Sequence, residues 1–175
     1  MKYRCDLHVN GASRKLLLVA GLTETPEHLA LKLAAFLLYW EHEPIVEAST
    51  KHPSLLGQEF TPDLVAFDET GAVKLWVECG KTALHKLGKL VRRYPDARIV
   101  VLRATEGEAK RFRTDIAAEI ERHARIEIRA WPAADFKTWL GALRREKVEV
   151  YGEAGDNALN LVVNETAFAV HFGAF

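Results

Sequence analysis

Thr61-Pro-Asp-Leu-Val-Ala-Phe-Asp-Glu-Thr-Gly-Ala-Val-Lys-Leu-Trp-Val-Glu-Cys-Gly-Lys81 reads as a β-hairpin. Leu64–Phe67 and Val73–Val77 are rich in β-formers, and Asp68-Glu-Thr-Gly71 between them is turn chemistry. With Thr70-Gly71 as a two-residue loop, Glu69 faces Ala72 and, carried back in step, Asp63 lies opposite Glu78. A four-residue loop, Glu69–Ala72, keeps the same register. A three-residue loop shifts it by one and sends the two carboxylates to opposite faces. Directly opposed residues share a face, with Cβ atoms about 4.5–5.5 Å apart. Two carboxylates so placed repel unless water screens them or a cation sits between them. The plainer alternative makes Asp63 a turn cap after Pro62 and Glu78 an exposed strand residue.

The flanking sequence gives this hairpin a context. Thr25 and Pro26 are an N-cap and a first helical residue, and the helix they open runs to about Trp40 or Glu41. It is apolar almost all round, with Leu29, Leu33, Phe36, Leu37 and Trp40 but also Leu31, Leu38 and Tyr39, so it packs on more than one side. Glu27 in its first turn is either a helix-dipole carboxylate or a third acid aimed at the hairpin. A long connection, Glu43–Phe60, carries Pro44, Pro53 and Gly57, with His42 and His52 read as surface histidines.

After the hairpin a helix runs from Thr82 to about Tyr94. Leu84, Leu87, Leu90 and Val91 form its apolar stripe, and Lys86, Lys89 and Arg93 share the opposite face, overlapped by His85 and Arg92. This is the densest positive patch in the chain. It reads as a solvated helix face or as a phosphate-contacting face beside the acids.

Ala97–Ala104 is near-continuously apolar, the mark of a strand buried on both faces. A helix capped by Thr105 to about His123, a strand Arg125–Trp131 and a helix Ala133–Arg145 follow. This alternation gives an α/β sheet with crossover connections. At the start, alternating residues 2–9, the Asn10-Gly11 turn and Arg14–Ala20 make a hairpin. At the end, Lys147–Tyr151, Leu159–Val163 and Phe168–Phe172 are strand-like, with turns at Gly152–Asn157 and Asn164–Thr166. These terminal strands, without chemical signature, are expected to meet as an antiparallel addition. The expected organisation is one domain over 1–175, with a core at 21–146 and accessory strands at 1–20 and 147–175.

Composition bounds the function. Hydrophobic residues make up 49% and charged residues 27%, which supports a packed core. Lys+Arg and Asp+Glu each number 24, so the net charge is zero. That argues against coating nucleic acid over a broad face, not against a small local contact. Cys5 and Cys79 offer neither a disulfide framework nor metal-ligand spacing. The charged opening lacks a signal-peptide pattern, and the longest apolar run, Leu33–Trp40, is far short of a membrane span. The expectation is a reduced cytoplasmic protein without membrane association.

The order acidic helix, Pro-Asp and Glu hairpin, basic helix, buried strand, helix, strand resembles the restriction-endonuclease-like fold of the PD-(D/E)XK superfamily. More narrowly, Thr25-Pro-Glu-His-Leu-Ala-Leu-Lys-Leu-Ala-Ala-Phe-Leu, Leu75-Trp-Val-Glu-Cys-Gly80, the Lys-rich helix and the terminal strands are similar to the YaeQ family of that superfamily. That family is known chiefly as bacterial proteins without an assigned biochemical role. The resemblance implies that Glu27 matches the first-helix acid, and Asp63 and Glu78 the two motif acids, which would hold Mg²⁺ (or Mn²⁺). The superfamily lysine two residues after the second acid is absent, because that position is Gly80. YaeQ-like sequences draw the lysine from the following helix, which implies Lys89, with Lys86 next, while Lys81 adjoins the empty position.

Three functions remain open on these residues. In a nuclease, Asp63 and Glu78 hold the metal, a lysine from 81, 86 or 89 steadies developing charge, and His85, Arg92 and Arg93 seat the phosphate backbone. A nuclease-fold module that binds nucleic acid without cutting keeps the basic helix alone. A protein-interaction domain keeps only the scaffold.

Overall fold

The computed structural model describes residues 1–132 and 134–175. Along the chain run β1 (Lys2–Val9), β2 (Ala12–Val19), α1 (Pro26–Leu38), β3 (Ile45–Val46), β4 (Leu64–Phe67), β5 (Val73–Cys79), α2 (Leu84–Arg93), β6 (Arg98–Arg103), α3 (Glu106–Glu119), β7 (Ile126–Ala130), α4 (Asp135–Ala142), β8 (Lys147–Gly155), β9 (Ala158–Val163), β10 (Thr166–His171) and β11 (Gly173–Ala174). Ala133, the expected first residue of the last helix, lies outside the described residues. The strands form two mixed sheets, ordered β10-β9-β8-β1-β2 and β11-β7-β6-β5-β4-β3.

The packing explains why α1 has no polar face. All residues from Leu29 to Leu38 are buried, between the five-stranded sheet on one side and β4, β5 and β6 on the other. Trp139 of α4 donates its indole N–H to Ala30 O at 2.9 Å and ties a third element to the helix. The other face of the six-stranded sheet is covered by α2 and α3, through Leu87, Leu90, Val91, Ala109, Phe112 and Ile116. β6 therefore alternates between two cores, Ile99 and Val101 on one face, Val100 and Leu102 on the other. That is why its sequence is apolar without a break.

The terminal strands do share one sheet, but the seam between them, β1 against β8, is parallel rather than antiparallel. Both strands enter from the same end of the molecule, β8 after the α4 crossover. The expected turn at Gly152–Asn157 shrinks to Asp156–Asn157, because β8 runs on through Gly155. Gly152 marks a close approach instead: its φ is +140°, and a Cβ there would lie 2.2 Å from Asn160 O. The connection read as irregular supplies edge strand β3, paired with β4. Residues past His171 return to the other sheet as β11, beside β7.

The central hairpin reaches its expected register by an unexpected route. Phe67 pairs with Val73, and Asp68 N–H donates to Ala72 O at 2.8 Å, so three residues, Glu69–Gly71, make the reversal and the Glu69–Ala72 pairing does not form. Asp68 Oδ1 accepts from Thr70 N–H, the Thr70 hydroxyl and Ala72 N–H, and Gly71 takes φ +83°. A bulge at Lys74 then absorbs the shift, and Ala66 pairs with Leu75, Val65 with Trp76 and Leu64 with Val77. Pairing within the hairpin ends at Leu64 and Val77, and Asp63 and Glu78 are the next residues outward on the two segments.

Candidate metal and nucleic-acid site

Asp63 and Glu78 occupy the open end of this hairpin, and each is gripped from a different helix. Thr25 caps α1, its hydroxyl accepting from His28 N–H at 3.2 Å. That start puts His28 and Lys32, four residues apart, on one face turned towards Asp63. His28 Nε2 lies 3.1 Å from Asp63 Oδ2 and His28 Nδ1 lies 3.0 Å from Glu24 Oε1. Lys32 Nζ is 2.5 Å from Glu24 Oε1 and 3.5 Å from Asp63 Oδ1, and it also pairs with Glu47. Cys79 N–H donates to Asp63 Oδ2 at 2.7 Å, and Glu47 N–H donates to Asp63 O at 2.9 Å. Glu47 does so from a left-handed backbone, φ 49°.

Glu78 faces the other way, towards α2. It accepts from Trp76 Nε1 at 2.6 Å, from the Thr82 hydroxyl at 3.1 Å and from Lys86 Nζ at 2.7 Å. Lys86 also donates to Thr61 O at 3.2 Å. Glu78 is only 3% exposed.

Their protonation equilibria are pushed apart. Burial disfavours the Asp63 charge, but His28, the Cys79 N–H and Lys32 outweigh it and hold the carboxyl below its usual range. Burial raises the Glu78 carboxyl, the Asp63 charge raises it further, and Lys86 only partly offsets this. His28 is raised, its burial outweighed by the bond to Asp63 and the surrounding carboxylates. Lys32 is raised too, for its desolvation is overcome by Glu24, Glu47 and Asp63.

The remaining expected residues divide. Lys89, the lysine the resemblance favours, pairs with Glu59 at 2.6 Å, and Lys86 is the one that reaches an acid of the hairpin. Arg93 donates to Leu56 O at 2.9 Å and Gly57 O at 3.2 Å, fastening the 56–60 loop to α2. His85 and Arg92 are exposed on the same helix. Glu27 is exposed and pairs with neither hairpin acid; Glu24, three residues earlier, is linked to Asp63 through Lys32 and His28. Glu27 and Lys81 instead line a cavity of about 410 Å³ with Glu24, His28, Gly80 and Glu108. It opens at the carboxyl ends of β5 and β6, where α/β sheets usually take ligands.

Sequence reasoning did not single out His28, Lys32, Glu24 or Glu47. A signal existed for Lys32: a lysine inside a helix apolar on every side must find buried partners. Glu24 and Glu47 carried none, since both sit in irregular segments. Among the described residues, no three of the His, Cys, Asp and Glu side chains gather in an arrangement that would hold a metal ion. No helix among them is long and apolar enough to cross a membrane.

Comparison with solved structures finds the same fold. The YaeQ protein of Xanthomonas axonopodis pv. citri superposes with a TM-score of 0.73 at 20% identity, covering 99% of this chain and 96% of that one. The YaeQ protein of Pseudomonas syringae gives 0.70 at 13% identity, over 99% and 94%. No curated protein matches. The family pattern described as YaeQ protein matches residues 10–171, and the chain belongs to the YaeQ family.

Proposed function

We propose that this YaeQ-family protein is a metal-dependent nuclease of the PD-(D/E)XK kind, hydrolysing phosphodiesters at Asp63 and Glu78 with its lysine displaced to α2. The observation that carries this reading is the Lys86 ammonium, 2.7 Å from Glu78, in a chain whose usual lysine position is Gly80. The two carboxylates are oxygen donors of the class Mg²⁺ and Mn²⁺ take, and the Asp63 charge adds to burial in raising the Glu78 carboxyl. To hold such an ion as two of its ligands, Glu78 would turn from Lys86 towards Asp63, with water and substrate phosphate supplying others. A bound divalent ion would polarise a phosphate oxygen and acidify water.

The chain's own residues do the rest. His28, Lys32 and Cys79 N–H keep Asp63 ionised and oriented. Lys86, released from Glu78, stabilises negative charge developing on the phosphate. His85 and Arg92 contact the strand's backbone. Metal-dependent cleavage of a labelled oligonucleotide tests the reading. Activity should vanish in Asp63→Asn and Glu78→Gln; equal activity in both variants refutes it.

A second reading has one specific observation behind it. Both hairpin acids already have protein cations, Lys32 and His28 on one and Lys86 on the other. Such a site is electrostatically quiet without metal, as in a nuclease-fold module that binds nucleic acid or a protein without cutting. Salt-sensitive binding without hydrolysis would favour it.

A further inference from the structure

Arg103 ends β6 beside the hairpin. It is 9% exposed, yet among the described residues its guanidinium makes one hydrogen bond, Nη1 to Gly80 O at 2.6 Å. Nε is buried without a hydrogen-bond partner, the nearest carboxylate oxygen being Glu108 Oε2 at 3.6 Å. The guanidinium stands over the Phe112 ring, 4.9 Å from its centroid. An arginine carries five donors in a planar fork. Burying one of them unused, as Nε is here, is costly, and the shape of the fork matches the oxygens of a phosphate.

The fork borders a cavity of about 340 Å³ lined also by Glu108, Arg111, Phe112, Thr114 and Asp115. Glu108 lines this cavity and the one at Lys81 and Gly80, so the two adjoin. The Gly80 carbonyl that Arg103 holds lies two residues past Glu78. Arg103 thus borders the cavity next to the one at Gly80 and Lys81, where the hairpin's second strand ends, and a second guanidinium, Arg111, lines the same cavity. Glu108 and Asp115 balance these charges and weaken the hold on any anion. The Glu108 side chain is 37% exposed.

We propose that Arg103, with Arg111, receives a phosphate of the bound nucleic-acid strand next to the one presented to Asp63 and Glu78; this rests on the nuclease-type reading above. Free inorganic phosphate shares the chemistry and occupies the same fork more weakly, so Arg103 is a binding residue for the strand, outside the reacting atoms.

The test is NMR observation of the Arg103 Nε–Hε resonance in the intact wild-type chain. Two ligands are titrated at constant ionic strength: inorganic phosphate, and an oligothymidylate without terminal phosphates. Both should shift the resonance saturably, chloride should not, and the oligonucleotide should saturate at lower concentration. Glu108→Gln should tighten phosphate binding several-fold. Arg103→Lys, which keeps the charge and loses the fork, should weaken oligonucleotide binding roughly tenfold. An oligonucleotide that binds while the Arg103 resonance stays still overturns the subsite and leaves the nuclease-type reading standing. A shift with phosphate but no oligonucleotide binding keeps an anion site and overturns the strand assignment. No shift with either overturns the subsite altogether.

Discussion

Replacing Lys32 by methionine removes the cation that three carboxylates share. The Lys32 side chain is 3% exposed, and those of Glu24 and Asp63 are 8% and 14% exposed, so water can do little to screen what remains. A single contact at about 3 Å has a Coulomb energy of roughly 5 kcal/mol at an effective dielectric of 20, much of it offset by desolvation. Removing one partner of a buried pair typically costs about 3–5 kcal/mol, because the other charge stays behind. Against a total stability of about 5–15 kcal/mol, that leaves a marginal fold. Urea denaturation at pH 7.5 should show this loss for Lys32→Met, with a melting temperature lower by roughly 10 °C. The loss should shrink as the pH falls towards 4.5, since the stranded carboxylates then take up protons. Adding Glu24→Gln and Asp63→Asn should restore most of the stability, as the one stranded carboxylate left, Glu47, is half exposed to water. A loss under about 1 kcal/mol, or one independent of pH, refutes the view of Lys32 as the keystone of the acidic cluster.

The same reasoning sets other outcomes. His28 is raised by Asp63, so its pairing stabilises the fold fully below the unfolded-state value, about 6.5, and this is lost as pH rises through the folded value. NMR titration should place His28 above 6.5, and Asp63→Asn should bring it down. Asp63 has the opposite sign: its contribution is full above about 3.9 and lost as pH falls through its depressed value. Lys86→Met should raise the Glu78 carboxyl further, abolish cleavage and tighten Mn²⁺ binding, which calorimetry would separate. Gly152→Ala should destabilise by roughly 3 kcal/mol in urea, since its Cβ meets Asn160 O in a backbone conformation alanine resists.

The sequence shows most of this fold because its patterns are local. The apolar periods of α1 and β6 state how many sides each buries, and the hairpin acids are visible from turn chemistry. The three-residue loop, one of the alternatives the turn chemistry leaves open, keeps the register of the other two because Asp68 organises the reversal through its side chain and a bulge at Lys74 then cancels the shift. A one-residue step and its correction are invisible to pairing arithmetic. The direction of the β1–β8 pairing depends on how distant segments pack, which no local period carries. The site was half legible. Asp63, Glu78 and Lys86 stood out, whereas Glu24 and Glu47 reach Lys32 from loops whose path only tertiary packing fixes. Lys89 is the lysine the resemblance implies first, yet Glu59 from the preceding loop pairs with it.

Metal uptake at the hairpin acids distinguishes a metal site from an idle pair of carboxylates. The measurement is calorimetric titration of Mn²⁺ into the protein saturated with a phosphorothioate oligonucleotide that resists cleavage. Wild type should take up metal saturably, and Asp63→Asn/Glu78→Gln should not. The same uptake in the doubly substituted protein, or none in the wild type, would contradict a metal site at Asp63 and Glu78.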